Sequence, residues 1–149
     1  MFAARHSYST GLAHMDAESD FRRARRAYLA ARIRCRVRGG RSCAGPRALA
    51  SSERLASGPS RLEVVPLRAI VGTLEPTAGF DSDFRPASEA QRRRWERVAL
   101  AHRRGQALPP VVLRRQPDGY YVVDGHHRVS VARALRLGDI DAWVTGPAR

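Results

Sequence analysis

Between Tyr120 and Gly138 the chain reads YYVVDGHHRVSVARALRLG, and its hydrophobic period changes at Asp124-Gly125. Tyr120–Val123 is an aromatic and β-branched run of strand type. Val129–Leu137 carries apolar residues at helical spacing through Val129, Ala132 and Leu135, with Gly138 as the expected stop. A strand that passes into a helix across one glycine belongs to the α/β class. The expectation is a small mixed sheet with flanking helices.

The chemistry of that turn follows from its residues. The first N–H groups of a helix lack intrahelical partners and sit at the positive end of the dipole, so the junction attracts anions. Gly125 would let a phosphate approach the backbone with no Cβ in the way. Arg128 stands in the first turn, where the dipole disfavours a cation, so it calls for an anion or Asp124 opposite. His126 and His127 add hydrogen-bonding groups at the same mouth. For Asp124 the sequence leaves two readings open: a Mg²⁺ ligand or proton acceptor, or a partner for Arg128 and the helix start.

The remainder divides at about residue 60. Asp16–Val37 reads as an Arg-rich helix with Asp16 as N-cap and a modest apolar stripe through Phe21, Ala24, Tyr28, Ala31 and Cys35. Arg41–Ser60 has linker composition, which makes residues 1–60 a helix and linker ahead of a domain at 61–149. In that domain Leu62–Val71 reads as one strand that Pro66 confines to an edge or a bend. Gly72–Pro86 reads as a loop. Ser88 and Gln91 form a capping box for the helix that carries Trp95. Pro117-Asp118-Gly119 turns the chain between Val111–Arg114 and Tyr120–Val123, and Ile140–Val144 is a last strand.

The 149 residues hold 27 basic side chains, all Arg, against 14 acidic ones, a net charge of +13. A field of this sign draws nucleic acid and nucleotides. The run Arg92–Arg94 reads as a solvated helix face. No apolar run reaches the length of a membrane span and no secretory signal is present, so the expected location is cytoplasmic. Cys35 and Cys43 read as reduced thiols, and no metal-ligand spacing occurs.

Pro109-Pro110-Val111-Val112-Leu113, the Asp118-Gly119 turn, Tyr120–Asp124, the G-H-H-R stretch, the Ala-rich helix and Ile140–Val144 together resemble the ParB/sulfiredoxin-fold superfamily across residues 61–146. In that superfamily a strand–G-x-x-R–helix element binds nucleotide phosphates: CTP in ParB proteins, ATP in sulfiredoxins, ADP or ATP in free-serine kinases. The D-G-H-H-R stretch is closer to the serine-kinase variant than to the ParB form, G-E-R-R. Phe80-Asp81, Phe84-Arg85-Pro86 and Arg94-Trp95-Glu96-Arg97 further resemble short actinobacterial proteins labelled ParB-like nuclease domains.

The resemblance implies a nucleotide (CTP, ATP or ADP), with Mg²⁺, held at Gly125, His126, His127 and Arg128. For phosphoryl transfer or hydrolysis it implies catalytic carboxylates at Asp124 and Glu75, the latter in the loop where serine kinases of this fold carry a general base. Sulfiredoxins have a catalytic Cys where His126 stands, so their cysteine chemistry is not expected. The alternative is a protein without catalysis that grips DNA non-specifically through its Arg-rich helices.

Overall fold

The computed structural model describes residues 11–39, 45–50 and 58–146. Its six strands are β1 (Arg47–Ala48), β2 (Arg61–Pro66), β3 (Ile70–Thr73), β4 (Val111–Gln116), β5 (Gly119–Asp124) and β6 (Asp139–Thr145). They form one mixed sheet in the order β1-β3-β5-β4-β6-β2. β3 runs parallel to β1 and β5, β4 parallel to β6, and the pairs β4–β5 and β2–β6 are antiparallel. Three helices accompany it: α1 (Ala13–Val37), α2 (Arg92–Arg103) and α3 (His126–Ala134). The α/β expectation with a small mixed sheet holds.

The predicted strand Leu62–Val71 is two strands. After Pro66 the chain makes a 3-10 turn at Leu67–Ala69, and the Leu67 N–H donates to the Gly138 carbonyl. β2 therefore takes one edge of the sheet, as Pro66 demands, while β3 crosses to the other half. β1 arises in the stretch read as a linker. It docks on β3 because Gly72 has no side chain: a Cβ there would lie 2.2 Å from the Arg47 carbonyl oxygen and 2.7 Å from the Tyr121 ring.

α3 separates two apolar clusters. Val129 and Ala132 face the sheet, against Val65, Leu67, Ile70, Leu113, Val122 and Val144. Val131 faces the other way, into Phe21, Phe80, Trp95 and Ala99. The Trp95 indole N–H donates to Ser130 Oγ at 2.8 Å, satisfying a fully buried donor. Phe21 of α1 meets Trp95 edge-on, with ring centroids 5.6 Å apart.

The first helix begins at Ala13, with Leu12 at the N-cap, so Asp16 is not its cap. Asp16 and Asp20 are instead buried under α2. Arg103 donates through Nε and Nη2 to the two carboxylate oxygens of Asp20, at 2.7 and 2.9 Å, and its Nη1 lies 3.7 Å from Asp16. The expected boundary at residue 60 is thus crossed twice, by α1 on α2 and by β1 on β3. Cys35 is disulfide-bonded rather than a free thiol. The α1 helix ends just beyond it, at the turn through Gly39 with φ of 63°. Cys43 lies outside the described residues. No helix among the described residues is long and apolar enough to cross a membrane.

Candidate functional site

β3 and β5 are parallel neighbours, so their C-terminal ends open at the same end of the sheet. In α/β sheets this is where ligands bind. β5 ends at Asp124, Gly125 turns the chain with φ of 103°, and α3 starts at His126. This start is three residues earlier than the apolar pattern of Val129–Leu137 suggested, because a helix can begin with polar residues before its buried face does. No side chain caps α3. The turn is also sterically closed to larger residues, since a Cβ at Gly125 would come 2.7 Å from Val111 Cγ1.

The two histidines point inward. His126 Nε2 lies 2.7 Å from Thr73 Oγ1, and the threonine hydroxyl in turn donates to the Val122 carbonyl at 3.3 Å. With its proton used there, the hydroxyl accepts from the ring, which assigns the imidazole proton to Nε2. His127 Nε2 donates to Gln91 Oε1 at 3.0 Å. Phe80 stacks on His126 at 6.2 Å and meets His127 edge-on at 5.1 Å, and Phe84 leans on His126 from another side.

Both rings titrate below the ordinary histidine value. Burial lowers His126, opposed by the Asp124 charge. Burial lowers His127 to about 4, helped by Arg94 and by His126 itself. Near neutral pH the pair is uncharged, so it supplies neutral hydrogen bonds and not positive charge.

Gln91 was expected to cap its own helix with Ser88. Ser88 does occupy an N-cap, ahead of a 3-10 turn at Glu89–Gln91, but no side chain bonds there. The amide of Gln91 is spent on His127 instead.

Arg128 faces Asp124, as one reading of the sequence required. Its Nη2 donates to Asp124 Oδ2 at 2.9 Å, and its Nη1 donates to the carbonyls of Pro109 and Pro110, the latter at 2.8 Å. It therefore works as a strut between α3 and the segment leading into β4. Asp124 is 73% exposed at the side chain, beside the free end of α3. Glu75 is exposed two residues past the end of β3, at the same end of the sheet. Among the described residues no group of three or more His, Cys, Asp or Glu side chains is placed to hold a metal ion.

Four residues of this site were given no role in it by the sequence: Thr73, Phe80, Phe84 and Gln91. Thr73 ends an otherwise apolar strand and is fully buried. That polar residue at the C-terminal end of a parallel strand is the hint the sequence did contain. The two phenylalanines sit in a loop rich in Asp, Gly and Pro, where nothing local announces that they pack on histidines 42 and more residues away.

No protein-family model matches the chain, and no curated protein matches it. Among solved structures it is similar to a crystal structure of sulfiredoxin from Arabidopsis thaliana. The two are 19% identical, the match covers 56% of this chain and 83% of that chain, and the TM-score is 0.41.

Proposed function

We propose that the protein binds the phosphates of a nucleotide at the turn from β5 to α3. The observation that carries this reading is the uncapped start of α3 behind a glycine with positive φ, at the shared end of two parallel strands. The N–H groups of His126, His127 and Arg128 belong to the first turn, where an anion satisfies donors that no cap does. The resemblance of D-G-H-H-R to the phosphate-binding element of the ParB/sulfiredoxin superfamily favours the same occupant and names CTP, ATP or ADP.

In this reading Gly125 admits the phosphate, and the neutral imidazoles of His126 and His127 fix the shape of the mouth. Arg128 holds the turn in place and contributes its charge at short range. Mg²⁺ accompanying the nucleotide would add one carboxylate to its phosphate oxygens. Asp124 is the nearest such group, and Glu75 is the second carboxylate at that end of the sheet. Phosphoryl transfer or hydrolysis would use one of these two to orient the nucleophile.

A second reading rests on the exposed arginines Arg22, Arg26, Arg34 and Arg36 along α1. They suit non-specific contact with a DNA backbone.

Calorimetric titration with CTP, ATP and ADP in Mg²⁺ tests the first reading, with Gly125→Ala as the site variant. One nucleotide should bind the native protein, and the variant should lose at least tenfold in affinity while keeping its helical signal. A native protein that binds none of the three, or a folded variant that binds equally well, refutes the assignment.

A further inference from the structure

A second region of the molecule has the makings of a ligand site. A cavity of about 690 Å³ lies between α1, the loop 83–86 and the C-terminal half of α3, within the size range of small-molecule sites. Four arginines reach it, Arg23, Arg85, Arg133 and Arg136, against two carboxylates, Asp20 and Asp83. Two of these guanidinium groups are already matched: Arg23 pairs with Asp20 at 2.6 Å and Arg85 with Asp83 at 2.9 Å. Arg133 and Arg136 have no carboxylate partner among the described residues.

Arg133 is fixed in place without being neutralised. Its Nη2 donates to the carbonyls of Leu67 and Ile70, at 3.0 and 2.6 Å, and its guanidinium lies 5.1 Å over the Phe84 ring. Neither Nε nor Nη1 has a hydrogen-bond partner among the described residues. Burial disfavours its charge, with Asp83 and Asp81 opposing.

Two left-handed residues shape the same cavity. Phe84, buried, has φ of 60°, and Arg136 has φ of 56°. The Phe84 turn is held by Asp81, whose Oδ1 accepts from the N–H groups of Asp83 and Arg85. At the other wall α3 closes at Arg136 and not at Gly138. The Arg136 N–H donates to the Arg133 carbonyl and the Leu137 N–H to the Ala132 carbonyl, the paired bonds of a Schellman ending. Glycine is the usual residue at that position because a Cβ is strained there. The Schellman ending itself holds Arg136 in this conformation, so the position of its side chain beside the cavity is fixed by the closing turn of α3.

We propose that this cavity binds a small organic phosphate dianion, its charge matched by Arg133 and Arg136 and its carbon skeleton lying against Ala27 and Leu135. Two guanidinium groups without a carboxylate partner, Arg133 in the last turn of α3 and Arg136 just past its end, fit the two charges of a phosphate monoester. The site is distinct from the β5–α3 turn, since it lies at the opposite end of α3.

Titration of the full chain with phenyl phosphate and with inorganic phosphate, read by calorimetry, tests this assignment. Arg136→Gly is the informative variant, because glycine suits φ of 56° and the protein should fold with an unchanged or higher Tm. Phenyl phosphate should bind the native protein, bind Arg136→Gly at least tenfold more weakly, and bind more tightly than inorganic phosphate. Arg93→Ala removes the same charge from the exposed face of α2 and should change affinity less than twofold. The assignment is overturned if phenyl phosphate does not bind. It is equally overturned if Arg136→Gly behaves like Arg93→Ala, or if only Gly125→Ala abolishes binding, which would put the anion at the turn.

Discussion

Thr73 Oγ1 lies 2.7 Å from His126 Nε2, tying the last residue of β3 to the first residue of α3. The bond joins the two strand ends that frame the candidate site, and it fixes the tautomer of the ring. Thr73→Val keeps the shape and removes the acceptor. A half-buried imidazole N–H is then left unpaired, which costs about 1–3 kcal/mol. Urea unfolding of the variant should show that loss, and nucleotide affinity should fall with it. An unchanged midpoint would mean that the hydroxyl does not anchor the ring.

The histidines make stability depend on pH. His127 titrates at about 4 in the folded chain against an ordinary value of 6.5. It binds fewer protons folded than unfolded across that interval, so stability rises with pH there. The contribution is complete above 6.5 and declines as pH falls towards 4. Allowing for partial exposure of the ring, the loss is about 1 kcal/mol. His127→Gln, which keeps a donor for Gln91, should flatten the difference between urea midpoints at pH 7 and pH 5. An equal slope in both proteins would place the titrating group elsewhere.

Asp20 and Arg103 bind across the α1–α2 interface with side chains 2% and 12% exposed. Asp20→Asn leaves Arg103 half-paired beside Asp16, and breaking a buried pair of this kind costs about 3–5 kcal/mol. Thermal unfolding should register a large fall in Tm. Deleting residues 1–60 goes further, because it removes Phe21 from Trp95 and β1 from β3. The remaining fragment should melt without a cooperative transition; a sharp one would make 61–149 an independent domain after all.

Salt separates the two functional readings. Contacts between the exposed arginines and DNA phosphates release counterions, so log affinity should fall steeply with log salt and sequence should matter little. A nucleotide seated on backbone N–H groups makes few such contacts and should be far less sensitive. Binding of DNA should be largely lost near ~0.15 M salt while nucleotide binding persists. Tight, sequence-dependent DNA binding at that ionic strength, with no nucleotide bound, would favour the second reading.

Local chemistry made much of this protein legible in its sequence. The change of period at Asp124-Gly125, the edge position forced by Pro66 and the Asp118-Gly119 hairpin all depend on residues next to one another, and each is present. What the sequence could not disclose depends on distant partners. Asp16 looked like a helix cap because Arg103, which it lies beside in the fold, is more than eighty positions away. Gln91 looked like a cap because His127 was not in view. Leu62–Val71 looked like one strand, and the 3-10 turn at Leu67–Ala69 that divides it bonds to Gly138, about seventy residues away. The stop of α3 was expected at Gly138, yet the left-handed residue of its closing turn is Arg136. Periodicity and turn chemistry are properties of a short segment, and they set where strands and helices form. Which side chains are paired, buried or left with an unmatched charge is set by segments that meet only when the chain is folded.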